Sequence, residues 1–132
     1  MPFVVEMLVD EKVVLIEVSG ATHLPEIQLG GKRAYELMSA GEAPVHVVID
    51  VTEMTSFPLE VSSLYEASPF YQHPSLGFVV ACGITNALVR TILRLFAQMA
   101  GFRYHMAETV EEALIFLRTQ DATLPPPQDT PE

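Results

Sequence analysis

The chain of 132 residues contains one cysteine, Cys82. That excludes an internal disulfide and any multi-cysteine metal site, and it fits a reducing, cytoplasmic setting. Cations are scarce: 7 Lys and Arg stand against 17 Asp and Glu, for a net charge of −10. A field of that sign repels phosphate backbones and anionic membranes, so nucleic acid is not an expected partner. No apolar run reaches the ~18 residues that cross a bilayer, so no membrane span is expected. The first residues, Met1-Pro2-Phe3-Val4-Val5-Glu6, lack the basic stretch of a signal peptide. His23, His46, His73 and His105 show no ligand spacing such as H-x-H or H-E-x-x-H, and no metal or other cofactor is expected. His46 and His105 fall in predicted strands and read as ordinary sheet residues.

Apolar residues, by contrast, are plentiful. They make up 49% of the chain, and the mean hydropathy is +0.29. A domain of this length buries about two-thirds of its unfolded surface without staples. The surplus points to a partner surface or an apolar pocket in addition to the core.

Phe3 to Val9 and Lys12 to Val18 are strand-like runs split by Asp10-Glu11, a break short enough for an antiparallel hairpin. In the second run Val14, Ile16 and Val18 face one way and Val13 and Leu15 the other, and Ser19-Gly20 ends it. His23 to Ala40 reads as helical in its second part, where Ala34, Leu37 and Met38 keep helical spacing. Gly30-Gly31 makes the first part a loop or a separate short helix. Val45 to Val51 is nearly continuous in β-branched residues, as in a central strand covered on both faces. Pro58 to Ser68 reads as a modest helix with Val61, Leu64 and Tyr65 inward, followed by the aromatic segment Phe70-Tyr71-Gln72-His73. Leu76 to Cys82 is a second buried strand.

Asn86 to Ala100 carries the strongest helical pattern. Leu88, Ile92, Leu95 and Met99 share one face, with Val89, Leu93 and Phe96 beside it. The apolar arc spans roughly 160°, wider than one sheet-facing helix requires. Phe102 to Met106 is a short last strand. Thr109 starts a final helix with Glu111 and Glu112 in its first turn and Ala113, Leu114, Phe116 and Leu117 as packing residues. The sequence divides into a domain over 1–119 and a Pro-rich tail over 120–132, in which Pro125-Pro126-Pro127 and Pro131 oppose regular structure. The order β-β-α-β-α-β-α-β-α predicts an α/β fold with a mixed, mostly parallel sheet packed with helices.

This order resembles the STAS fold, named for sulfate transporters and anti-sigma factor antagonists, and within it the SpoIIAA-like branch, whose members are bacterial proteins mostly without an assigned role. Three stretches carry the resemblance: Val47-Val48-Ile49-Asp50-Val51, Asn86 through Phe96, and Thr109 through Leu117, where a Trp often stands in place of Phe116. It covers roughly residues 3 to 119. STAS antagonists present a phosphorylatable serine after the central strand, in an Asp-Ser-Ser-Gly-like turn. The corresponding stretch here is about Phe57-Pro58-Leu59-Glu60-Val61, so Leu59 and Glu60 occupy the place of the switch. Ser56, Ser62 and Ser63 stand nearby outside any matching motif. The resemblance implies a regulatory protein-interaction module that lacks the usual serine.

Asp50, Thr52, Ser56, Cys82, Thr85 and Asn86 are expected at the carboxyl ends of two neighbouring strands, where open α/β sheets bind ligands. The plainer reading has Asp50 and Asn86 satisfying loop and helix-end amides. Cys82 reads as a small buried hydrophobe, or as a thiolate activated by the helix start near Thr85-Asn86. Arg90 and Arg94 form an i, i+4 pair that is either a solvated face or an anion or partner stripe. Val89, Leu93 and Phe96 are either core, or a homodimer face or apolar ligand pocket. Three functions follow. The first is a non-catalytic module that binds a protein partner or a second copy of itself. The second is a carrier or sensor of an apolar, lipid-like small molecule, with Met38, Met54 and Met99 as adaptable lining. The third, an enzyme using Asp50 or Cys82, has the least support because no residue pair shows acid–base or nucleophile–base spacing. The chain therefore reads as non-enzymatic.

Overall fold

Branched residues fill most of the first two strands, and a turn at Glu11 and Lys12 leads into the second. The computed structural model describes residues 3–9, 11–21, 23–56 and 73–124. Its elements are β1 (Phe3–Val9), β2 (Val13–Ala21), α1 (Leu24–Ser39), β3 (Val45–Ser56), β4 (Leu76–Cys82), α2 (Ala87–Ala100), β5 (Arg103–Ala107) and α3 (Val110–Gln120). The strands form one sheet in the order β1-β2-β3-β4-β5. β1 and β2 pair antiparallel, and the remaining pairs are parallel. The predicted mixed, mostly parallel α/β sheet is thus present. The expected helix over Pro58–Ser68, the positions Leu59, Glu60, Ser62 and Ser63, the aromatics Phe70 and Tyr71, and the chain beyond Leu124 lie outside the described residues.

Alternation sorts the side chains into two layers. Val14, Ile16, Val18, Val45, Val47, Val51 and Val79 pack with Ala34 and Met38 of α1. On the other face Val13, Leu15, Val48, Val80 and Cys82 pack with Ala113 and Leu117 of α3. α2 lies on the α1 side, where Val89 and Leu93 meet Ala81.

Three boundaries differ from the sequence reading. α1 runs unbroken through Gly30 and Gly31, both buried. Pro25 in its first turn, and the bond from His23 N to Glu26 Oε1 at 3.1 Å, start the helix earlier than the glycine pair suggested. β3 continues to Ser56, because β2 extends to Ala21 and offers a partner, with register shifts near Ser19 and Ala21. The division at residue 119 falls inside α3, and the chain stays packed beyond it. Asp121 and Leu124 are buried, and Leu124 joins the α3-side core.

Candidate functional site

Parallel strands deliver their carboxyl ends to one side of the sheet. Midway along β3, Asp50 Oδ1 accepts from Thr52 N at 3.0 Å and from Thr52 Oγ1 at 2.6 Å. This is a local turn of the kind aspartate stabilises. Just past β4, Gly83 has a φ of 80°, and a Cβ there would meet the Thr52 hydroxyl and sit 2.9 Å from Thr52 Cα. The two strand ends therefore touch through a glycine that other residues could not replace without movement. Asn86 caps α2, its Oδ1 accepting from Leu88 N at 2.8 Å and Val89 N at 3.2 Å. Arg90 donates to the Ile84 carbonyl at 3.2 Å.

A recess of about 270 Å³ lies here between β3, the loop after β4 and the start of α2, with Thr52, Met54, Thr55, Thr85, Asn86 and Leu88 along its walls. It is smaller than the roughly 300–1,000 Å³ of typical small-molecule sites. Of the six candidates, Thr52, Thr85 and Asn86 line it. Asp50 and Cys82, register partners in neighbouring strands, do not. Asp50 and Cys82 share their parity with Val48 and Val80 on the α3 side, and a register shift in β3 between Asp50 and Glu53 turns Thr52 and Met54 the other way. The side chain of Ser56 is outside the described set.

Cys82 is fully buried. Burial pushes its thiol up to about 12, and the negative charges of Asp50 and Glu112 push the same way. The helix start does not activate it; the residue behaves as a core hydrophobe. Among the described residues no cluster of His, Cys, Asp and Glu is arranged to hold a metal ion. Met38 is buried in the core, Met54 is at the recess and Met99 is exposed, so the three methionines share no lining.

α2 differs from the sequence reading in a way that moves the candidate interface. Val89, Leu93 and Phe96 are buried against the sheet, and Phe96 meets Phe102 edge-on with centroids 5.8 Å apart. They are core, not an interface. The outward apolar residues are Leu88 at 53%, Leu95 at 43% and Met99 at 62% exposure, with Ile92 half-buried between them. Arg90 and Arg94 are exposed, but helical spacing sets them on the flank of α2 away from this ridge. A groove of about 460 Å³ follows, between α2 and the edge strand β5, walled by Arg94, Gln98, Phe102, Tyr104, His105 and Met106. The Tyr104 hydroxyl is buried without a hydrogen-bond partner among the described residues, and burial raises it to about 12 against the pull of Arg90 and Arg94.

On the far side, Phe116 stacks flat on His105 with centroids 3.7 Å apart and meets Phe78 edge-on at 5.2 Å. His105 is thus a structural residue of the α3 layer.

Sequence reasoning missed one cluster. His46 Nε2 bonds Asp121 Oδ2 at 2.8 Å, while its Nδ1 accepts from Phe78 N at 2.9 Å. Lys12 Nζ stands 3.7 Å from the same carboxylate and donates to the Glu42 carbonyl at 3.3 Å. Thr123 donates to Asp121 Oδ1 from both N and Oγ1, at 3.0 and 2.6 Å. The available signal was His46 itself, a polar side chain in a fully buried strand, which requires a partner. Because Lys12, His46, Asp121 and Thr123 satisfy one another, the cluster reads as a fastening of the chain end.

No protein-family model matches the chain, and no curated protein does. Solved structures do. One is a protein of the DUF3478 family with a SpoIIAA-like fold from Shewanella loihica PV-4, 15% identical, with a TM-score of 0.62 over 87% of this chain and 91% of that one. Another is the anti-sigma factor antagonist SpoIIAA in its unphosphorylated form, 16% identical, with a TM-score of 0.57 over 88% of this chain and 97% of that one. With the sheet order and helix placement above, these likenesses show that the chain has a STAS-type, SpoIIAA-like fold.

Proposed function

We propose that this chain is a non-catalytic regulatory module of the cytoplasm that acts by binding a protein, with the outer face of α2 as its contact surface. The carrying observation is the ridge of Leu88, Leu95 and Met99, three large apolar side chains left outward on one helix face. Ridges of this kind commonly mark protein-interaction sites. The fold supports the reading, since one solved neighbour is an anti-sigma factor antagonist by name. Leu59 and Glu60, in place of a switch serine, favour regulation by occupancy over phosphorylation at that turn.

The test is a photoreactive amino acid at Leu95, with the more exposed Leu29 of α1 as control. The reading expects a protein crosslink from position 95, to another protein or to a second copy, and none from position 29. Crosslinks from 29 alone, or from neither, would overturn it.

A further inference from the structure

β5 is the last strand of the sheet, and among the described residues no strand lies beyond it. Ala107 O accepts from Gly83 N at 3.3 Å, so the polar backbone groups of Ala107 turn toward β4. The N–H and C=O of one strand residue leave on the same side, and neighbouring residues alternate. Arg103 and His105 therefore also turn their backbone toward β4. The N–H and C=O of Tyr104 and Met106 point off the edge of the sheet.

A groove runs along this edge. It has a volume of about 460 Å³ and lies between β5 and the flank of α2 that carries Arg94, Ala97 and Gln98. That flank is turned away from the ridge of Leu88, Leu95 and Met99. Phe102, Tyr104 and Met106 give the groove an apolar wall, and Arg94 gives it a charge. Arg94 has no ion pair among the described residues, whereas Arg33 of α1 has Glu36 at 3.9 Å. Neither α2 nor β5 contains an Asp or Glu. On the other face of the same edge the exposed Arg103 lies over the Phe78 ring at 4.8 Å. Arg90 takes no part: it donates to the Ile84 carbonyl and shares a separate recess with Glu108 and Glu112.

We propose that the free edge of β5 receives an extended acidic peptide segment of a partner protein as an added strand. Its backbone pairs with Tyr104 and Met106, and its carboxylates meet Arg94 on one face and Arg103 on the other. Strand addition at an open edge takes its affinity from main-chain hydrogen bonds and its specificity from alternate side chains. A charged edge turns away chance pairing with other strands, and a pair of guanidiniums admits an acidic one. A neutral or basic strand would strip water from both guanidiniums without replacing it. A second copy pairing β5 with β5 would bring Arg94 and Arg103 of both protomers to one seam. The surface is separate from the α2 ridge, so it does not depend on that ridge being occupied.

The test titrates the full chain into fluorescein-labelled peptides that alternate Val with Glu or Val with Lys, read by anisotropy. A third peptide repeats the Val–Glu sequence with alternate backbone nitrogens methylated, which removes the ladder and keeps the side chains. The expected result is binding of the unmethylated Glu peptide alone, weakened by salt. Arg94→Glu should weaken it roughly tenfold or more, while Arg33→Glu and Leu95→Asp leave it unchanged. Amide exchange at Tyr104 and Met106 should slow when the peptide is bound. Circular dichroism checks that each variant is folded. No binding of the Glu peptide, equal binding of the Lys or methylated peptide, or full binding by Arg94→Glu overturns the proposal. Loss of binding in Leu95→Asp alone would put the peptide on the ridge and overturn it too. Protection of the Tyr104 and Met106 amides that rises with protein concentration, without peptide, would assign the edge to a second copy and refute the acidic partner.

Discussion

His46 and Asp121 are 75 positions apart and bonded at 2.8 Å with both side chains buried, joining the start of β3 to the residue after α3. The tautomer follows from the partners. Nδ1 accepts from Phe78 N, so Nε2 carries the proton and donates it to the carboxylate. Asp121 in turn is fed by Thr123 and faced by Lys12. The chain end is therefore tied to the sheet by a closed polar set at the edge opposite the candidate recess.

Replacing Asp121 by Ala leaves His46 Nε2 and the Lys12 ammonium without their acceptor in a buried place. The expected loss is about 3 kcal/mol, because breaking a buried charged set costs more than the set contributes over an apolar one. Urea unfolding of the variant measures it; a loss under ~1 kcal/mol would contradict the arrangement.

The same set fixes a pH dependence. Burial lowers His46 below its ordinary 6.5 against the pull of Asp121, with Lys12 and Arg103 adding to the lowering, and burial also lowers His73. The folded state then binds fewer protons than the unfolded one below pH 6.5. Stability is full above that value and falls as pH drops toward the folded values. For Asp121 burial alone would raise the carboxyl, but hydrogen bonds from Thr123 and His46 and the charge of Lys12 hold it well below 3.8. Its contribution is full above that value and lost below it. The urea midpoint should be level between about pH 7 and 8, decline from about 6.5 and decline again below about 4. In His46→Gln the first decline should shrink, although the midpoint is lower throughout. An unchanged slope would remove His46 as a cause.

Cys82 should resist a thiol reagent at neutral pH while the protein is folded, since the thiol is fully buried and raised to about 12. Reaction should begin only in the urea concentrations that unfold the chain. Rapid labelling of the native protein would reopen the case for a reactive cysteine.

Gly77 lies against the His46 ring: a Cβ there would touch Nδ1 and come within 2.6 Å of Cε1. The ring is held at both nitrogens and cannot yield cheaply. Gly77→Ala should cost about 1–3 kcal/mol, as overpacking does. Gly20→Ala, at a φ of 70° with open space around it, should show only the milder backbone strain of about 1–2 kcal/mol. A tolerated Gly77→Ala would show that the ring is free to move.

Elements were legible where their signals are local. The runs at Val45 and Leu76 are rich in branched residues, and α2 begins at an Asn86 cap and ends at Gly101 in the left-handed conformation. The buried face of α2 was not legible, because Leu88, Ile92, Leu95 and Met99 are as apolar as Val89, Leu93 and Phe96. Which set meets the sheet depends on how the helix is rolled against Ala81 and Tyr104. Nor was the His46–Asp121 bond, which no spacing rule links across 75 positions. Cys82 does end β4, but Asp50 sits midway along β3, because the strand continues to Ser56, and a register shift after Asp50 separates it from the recess that Thr52, Thr85 and Asn86 share.

The most direct test of the account is native mass spectrometry of gently purified protein beside its Leu95→Asp variant. The account predicts a protein-bound form, with a partner or as a dimer, that the substitution removes while the variant remains folded. A lone monomer in both preparations, or a monomer carrying a small-molecule adduct that the variant retains, would contradict it.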